Sequence, residues 1–511
     1  MAAENVHSKK ETITLWFSRL LRNPISMAGV ALAIVSAANI FLFSLIDFIA
    51  ERPSPYIGIL AYMVAPGFLI CGLVLIAIGA WRERHRQYSE QAGEAPLHPR
   101  IDFNDPAQRG AAISFGVFLV VFVMMSSVGS YKAYEYTDSV QFCGQTCHTV
   151  MHPEFTAYQL SPHARVACVD CHVGSGASWY VKSKLSGARQ VFAAAFNTFP
   201  RPIPTPVHDL RPAQDTCEQC HWPKKFYGAQ LKVFTHYASD EKNTPRQIRM
   251  LIKTGGGDPA TGAPEGIHWH MNIANEIDYV AADEKRQVIA YIHVKDGQGR
   301  VTEYYAQDST LNKDQIAKAP RRRMDCIDCH NRPSHIYVPP DQAVDQALLA
   351  RKMDVSLPYI KQQAVAALTG KYDTTEAAVQ GIAQQIHGFY EAKYPGLANV
   401  KQLEIRNTID EVQQIFRRTT FPEMKLNWQT HANNLGHFYF NGCFRCHDGQ
   451  HVSAEGKVVR KDCDICHTLT GQEEGGISMA AVPKLSFQHP VDLGDLTQVN
   501  CSDCHTGGAA P

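Results

Sequence analysis

Three apolar stretches precede everything else of note in the chain: about Ser26 to Ala50, Tyr56 to Trp81 and Ala111 to Tyr131. Each is near or above the roughly 20 residues that carry a helix across a bilayer, so the pattern predicts three transmembrane helices and a membrane anchor over residues 1–131. The first stretch is too long for a signal-peptide core and runs into a second, which favours an uncleaved anchor. Lys9, Lys10, Arg19 and Arg22 precede the first stretch, and Arg82, Arg84, Arg86, Arg100 and Arg109 follow the second. Both basic flanks should face the cytoplasm, and three crossings then put everything beyond Tyr131 on the opposite side. Pro66-Gly67 is a candidate kink, and Asp47 is an ionisable group near the outer end of the first span.

Beyond the anchor, periodic patterning is confined to two places. From about Asp341 to Arg418, apolar positions recur at three- and four-residue spacing, punctuated by Pro358, Gly370 and Pro395, and read as helices. From Val288 to Ala306, two β-rich runs flank Asp296-Gly297-Gln298-Gly299 and read as a hairpin. The rest is irregular. Forty-nine basic residues balance forty-nine acidic ones, so nothing in the charge proposes nucleic acid as a partner.

The irregular parts hold the chemistry. Cys-x-x-Cys-His occurs six times, at Cys168/Cys171/His172, Cys217/Cys220/His221, Cys326/Cys329/His330, Cys443/Cys446/His447, Cys463/Cys466/His467 and Cys501/Cys504/His505. A seventh site, Cys143/Cys147/His148, has one more residue between its cysteines. Zinc ribbons and thioredoxin-like sites use Cys-x-x-Cys but do not require His next to it, whereas covalent c-type haem attachment does. The seven pairs use fourteen of the fifteen cysteines, leaving only Cys71, inside an apolar run. Seven covalently bound haem c groups are expected, with proximal ligands His148, His172, His221, His330, His447, His467 and His505. All lie beyond the last span, in the compartment where bacteria complete haem attachment, which predicts a bacterial inner-membrane protein with a cytoplasmic amino terminus and a periplasmic haem domain.

Haem iron usually takes a second axial ligand from elsewhere in the chain. His163 precedes the second motif, His335 follows the fourth, His451 follows the fifth, and His489 precedes the seventh. His208, His236 and one of His268 or His270 lie within the first cluster of motifs, and His437 adjoins the fifth. The fold class is therefore a membrane-anchored multihaem cytochrome c: three transmembrane helices plus a mostly α-helical and irregular, haem-packed domain with a small β-hairpin.

The segment from Gly129 to Pro223 joins a membrane helix, a haem motif followed closely by Met151, a Ser-x-His at His163, a second haem motif and a basic stretch. It resembles the NapC/NirT/NrfH family of membrane-anchored quinol dehydrogenases. The resemblance implies a tetrahaem domain over 132–340, leaving a helical insertion over 341–420 and a C-terminal trihaem domain over 421–511. It also implies Met151 as a ligand of the first haem. The chain departs from the family in its three anchor helices, in the longer first motif, with Met151 three residues after His148, and in having no Asp or Glu between Asp170 and Asp209.

A quinol releases two electrons and two protons, so its site needs a haem at the membrane surface beside groups that pass protons. The first motif begins shortly after Tyr131, and Lys182, Lys184 and Arg189 behind Trp179-Tyr180 would suit both a quinol oxygen and lipid headgroups. Glu135, Asp138, His152 and Glu154 are further proton acceptors. The expected activity is menaquinol oxidation, with the quinone pool, the lipid bilayer and periplasmic c-type cytochromes as partners, in anaerobic or extracellular (metal oxide) respiration. A wire subunit within a larger respiratory complex and a multihaem terminal reductase are the alternatives. Every motif ends in His and none in the Lys of nitrite-reducing haems, which weighs against the reductase.

Overall fold

The computed structural model describes residues 24–49, 64–90, 103–146, 148–173, 177–207, 210–257, 266–480, 487–494, 496 and 499–508. The chain divides into two compact units, Met1–Thr146 and Cys147–Pro511. In the first, helices α1 (Pro24–Ile49), α2 (Ala65–Glu90) and α3 (Pro106–Thr137) lie on the three apolar stretches. Against the three spans expected, two helices among the described residues are long and apolar enough to cross a membrane: α1 over Pro24–Phe43 and α2 over Ala65–Glu83.

The seam between α1 and α2 is made of small residues. A Cβ on Gly29 would stand 2.7 Å from the Gly72 carbonyl oxygen, and one on Gly72 would stand 2.8 Å from the Ala33 nitrogen. Backbone therefore meets backbone, the packing that membrane helices use where no hydrophobic effect drives them together. α3 exposes Ile113, Val117, Val120, Met124 and Val128. Arg82 to Glu90 continue α2 beyond the apolar stretch, because unbranched residues such as Arg, Glu and Gln sustain a helix. One further expectation changes here. Pro66 stands in the first turn of α2, where its missing N–H leaves no bond unmade, and so it does not kink the helix.

In the second unit, α4 (His148–Gln159) and α5 (Ala177–Ala195) precede a bundle of α6 (Pro340–Leu349), α7 (Ile360–Leu368), α8 (Thr375–Lys393) and α9 (Gln402–Thr419). Leu357, Ile360, Leu368, Ile382, Ile386, Tyr390, Val412 and Phe416 are at most 1% exposed and form its core. The punctuation acts as expected: Pro358 and Gly370 bracket α7, and Pro395 opens a short helix, Pro395–Val400.

The expected hairpin is present as β4 (Ile289–Lys295) and β5 (Val301–Ala306), with Tyr291 opposite Tyr305. The Asp296 carboxylate accepts the N–H groups of Gln298 and Arg300 at 2.9 and 3.0 Å, and Gly299 supplies φ +78°. A single small hairpin is nevertheless an underestimate. With β3 (Glu276–Ala281), β6 (Arg322–Arg323) and β7 (His451–Ser453) it forms a five-stranded sheet, ordered β6-β3-β4-β5-β7. A second sheet, β1-β2-β8-β9, joins Gln230–Tyr237, Pro245–Ile252, His467–Glu474 and Ile477–Ala480. Strands from 230–306 and from 451–480 share both sheets, so the stretches bearing the early and late motifs fold as one body around the helical insertion.

Candidate functional site

Each described Cys-x-x-Cys-His motif folds as a tight turn. His221, His330, His447 and His505 donate their backbone N–H to the first cysteine's carbonyl at 2.8, 2.8, 3.0 and 2.8 Å. A helical turn puts the third and fourth residues after a position on the same face as that position, so both sulfurs and the imidazole project together. Aspartates cap these turns. Asp325 accepts Ile327 N–H at 3.0 Å, and Asp328 and Asp503 accept the N–H groups of Asp325 and Asn500 at 2.8 and 3.0 Å.

The attachment cysteines differ in how deeply they are set. Cys220 and Cys504, the second cysteines of the third and seventh motifs, are exposed, and so are Cys171 and Cys463. The physical reason is local: the turns Cys168–His172, Cys217–Gln219, Cys463–Ile465 and Cys501–Cys504 bury none of their residues. By contrast, Cys326, Cys329, Cys443 and Cys446 are half-buried, on turns that bury Asp328 and Gly442. Exposure does not disqualify a thiol from covalent attachment, because thiol chemistry requires access.

Opposite six motif histidines stands a second imidazole. Ring centres are 6.3 Å apart for His172 and His335, 6.1 Å for His221 and His163, and 6.3 Å for His330 and His268. They are 5.9 Å apart for His447 and His270, 6.2 Å for His467 and His437, and 6.1 Å for His505 and His489. Two imidazoles bound to opposite sides of one metal, each through a bond of about 2 Å, have ring centres roughly 6 Å apart. The residues therefore fit a haem iron at six sites.

The second imidazoles are also prepared electronically. His489 Nδ1 lies 2.9 Å from the Val491 carbonyl and also accepts the Val491 N–H at 3.3 Å. His163, His268, His270 and His335 each direct Nδ1 at a backbone carbonyl alone: Pro333, Thr254, Ile267 and Glu154, at 3.3, 2.7, 2.8 and 3.1 Å. A carbonyl only accepts, so Nδ1 carries the proton and Nε2 keeps its lone pair for a metal. Burial pushes His270 down to about 4, and burial with the Arg332 and His172 charges does the same to His335, so both stay neutral as ligands must.

Neighbouring motifs meet through their cysteines in chain order. A hydrogen bond from Cys326 pulls the Cys217 thiol down to about 6. Burial, and then the charge of a cysteine in the next motif, raises Cys171 (Cys217) and Cys329 (Cys443). Burial raises Cys466 and Cys501 too, with Cys443 and Cys463 of the preceding motifs adding to it.

Other expected site residues fall differently. His451 is 1% exposed, with Nδ1 bound to Asp448 Oδ1 at 3.0 Å and Nε2 to the Ile289 carbonyl at 2.9 Å. Both nitrogens are engaged, so it braces the sheet and offers nothing to a metal. His236 pairs with Asp345 Oδ2 at 3.1 Å and stacks on Phe438, which itself lies against His505. Among the described residues it faces no motif histidine. Of His268 and His270, where one was expected, both face a motif histidine. Met151 stands three residues after His148 on α4. His208, Cys147 and the side chains of His148, Lys182 and Lys184 lie outside the described residues. Arg189 is exposed on α5. Lys182 and Arg189 share one face of that helix, whereas Lys184 lies about 200° around the axis from Lys182.

Membrane-length helices joined to a domain of repeated cysteine-histidine turns with opposed imidazoles define a membrane-anchored c-type multihaem cytochrome. Residues 106–203 match the NapC/NirT cytochrome c family, N-terminal region. The chain is 48% identical over 490 residues, 96% of each protein, to the cytochrome c-type protein ImcH of Geobacter sulfurreducens. It is 30% identical to the cytochrome c-type protein NrfH of Wolinella succinogenes over 21% of this chain and 62% of that protein. It is 28% identical to the cytochrome c nitrite reductase subunit NrfH of Nitratidesulfovibrio vulgaris, over 23% and 72%. No solved structure matches. The chain belongs to the NapC/NirT cytochrome c family, as a membrane-anchored electron-transfer enzyme of the quinol dehydrogenase type with covalent c-type haems on a periplasmic domain.

Proposed function

We propose that this protein is a bacterial inner-membrane menaquinol dehydrogenase that carries seven covalent haems and delivers electrons to periplasmic cytochromes, in anaerobic or extracellular, metal-oxide respiration. The observation that carries the reading is the set of six imidazole pairs with ring centres 5.9 to 6.3 Å apart. In this reading His335, His163, His268, His270, His437 and His489 are the distal ligands opposite His172, His221, His330, His447, His467 and His505. The first haem is held by Cys143 and Cys147, with His148 or, by family resemblance, Met151 on one side. When bound, such haems supply one-electron redox chemistry. The chain's own part is to anchor each group through two thioethers, hold a neutral imidazole on each face, and so keep coordination unchanged between oxidation states. Cys220 and Cys504 keep their place as attachment points for two of these haems. The succession of neighbouring cysteines from Cys171 to Cys501 supports a continuous series of such centres.

α3 is the third crossing in this reading, with the amino terminus cytoplasmic, as the basic flanks imply. Lys182 and Arg189 are seven residues apart on α5, about two helical turns, and are the pair that this spacing favours at one quinol oxygen. Mixing the purified protein with a menaquinol analogue and following the haem absorbance tests the function. Reduction by the quinol is expected. Reduction by dithionite but not by quinol would make the chain a wire fed by another subunit.

A further inference from the structure

The α5 helix, Ala177–Ala195, is amphipathic in an inverted sense. Leu185, Phe192 and Phe196 are 70%, 66% and 72% exposed. Phe196 follows the last helical residue but still donates its N–H to the Phe192 carbonyl at 3.0 Å, and the two rings lie parallel, 6.5 Å apart. At 100° per residue these three positions fall within about 40° of one another. The less exposed positions, Ser183, Gly187, Ala193 and Ala194, are all small and lie outside the row, although Gln190 and Val191 beyond it are exposed as well. Soluble proteins scatter exposed apolar residues singly, and a row of large ones on one helix face marks a surface that something covers.

Charge identifies the occupant. From 171 to 208 the chain has Lys182, Lys184, Arg189 and Arg201 and no Asp or Glu. Lys182 and Arg189 flank the apolar row at about 60° and 40° on one side, and Lys184 at about 100° on the other. An apolar stripe bordered on both sides by long basic side chains is the pattern of a helix lying in the plane of a membrane interface, with the bases reaching up to anionic headgroups.

We propose that α5 lies flat in the outer interface of the bilayer, with Leu185, Phe192 and Phe196 in the acyl boundary and Lys182, Lys184 and Arg189 among anionic headgroups. The inference rests on membrane anchorage and not on quinol oxidation. The test uses the full haem-loaded protein in nanodiscs of anionic phospholipid, reduced with dithionite so that low-spin iron is diamagnetic. Trifluoromethylphenylalanine replaces Phe192, Phe196 or, as reference, Phe389 in the helical bundle. Lipids carrying a gadolinium(III) chelate at the headgroup, a paramagnetic centre that dithionite does not reduce, should broaden the fluorine signals at 192 and 196 until they are lost, and spare the one at 389. Changing Lys182, Lys184 and Arg189 together to Gln should weaken that broadening in anionic lipid. Sharp signals at 192 and 196, equal to that at 389, would overturn the proposal and show that protein covers this face. So would broadening that the triple variant leaves unchanged, because the headgroup contribution would then be missing. Either result is read independently of quinol reduction.

Discussion

Asp345→Asn should loosen the junction between the helical bundle and the β1-β2-β8-β9 sheet. Asp345 is 4% exposed and Lys361 5%. The carboxylate accepts from Lys361 Nζ at 2.5 Å, from Tyr237 N–H at 3.0 Å and from His236 Nδ1 at 3.1 Å. An amide preserves the shape but leaves the buried ammonium without its counter-charge. The nearby Asp341 carboxyl, raised by burial and bound by the Tyr439 hydroxyl at 3.2 Å, compensates only in part. Breaking one partner of a buried pair costs about 3–5 kcal/mol, and the residual help from Asp341 argues for the lower end. Denaturant unfolding followed by circular dichroism measures this. The double variant Asp345→Leu/Lys361→Met, which removes both charges, should recover most of the loss. His236 stacks on Phe438, and Phe438 on His505 at 4.5 Å, so the single variant should also perturb the spectrum of the seventh motif's haem. A single variant within about 0.5 kcal/mol of the parent, or a double variant as unstable as the single, would refute the reasoning.

Burial, then the charges of Arg332 and Lys285, pushes His431 from 6.5 down to about 4. The unfolded chain then holds more protons between those values, so this stability is complete above about pH 6.5 and is lost as pH falls towards 4, about 3 kcal/mol in all. His431→Gln should flatten that slope, and an unchanged slope would contradict the assignment. His268→Ala and His270→Ala should each remove one low-spin centre, at different haems, and the double variant two, counted by electron paramagnetic resonance; loss of the same centre in both would break the pairing. His270 and His447 both direct Nδ1 at carbonyls, at 2.8 and 2.7 Å, whereas the buried Nδ1 atoms of His437 and His467 have no partner among the described residues. A hydrogen-bonded imidazole is the stronger electron donor, so the fifth motif's haem should titrate below the sixth's by roughly 40 mV for each 1 kcal/mol of difference, and potentiometry finding the reverse order would refute this.

What was legible in the sequence was whatever local spacing encodes. The Cys-x-x-Cys-His repeats, the turns that present them, the α6–α9 bundle with its Pro358 and Gly370 breaks, and the Asp296–Gly299 turn all depend on residues a few positions apart. The two sheets were not legible. β7 is three residues long, β8 begins at the motif histidine His467, and β2 alternates too poorly to stand out, while β8, its neighbour opposite β1, lies across the helical insertion. The pairing of imidazoles is non-local in the same way. His270 meets His447 through the tertiary fold, and proximity along the chain favoured His451, whose two nitrogens are taken by Asp448 and the Ile289 carbonyl. Nor does a motif say how deeply it is set: Cys220 and Cys504 are exposed while Cys329 and Cys446 are half-buried, on the same five-residue pattern. The Nδ1 partners that select the ligands are backbone carbonyls, which no residue type advertises.

Near-infrared magnetic circular dichroism of the fully oxidised protein distinguishes haems with two histidine ligands from all others, and so reads the central claim directly. The opposed pairs predict six bis-histidine haems and one of different ligation, at the site of Cys143 and Cys147. Fewer than six bis-histidine haems would mean that an imidazole pair does not bracket an iron, and would contradict the account.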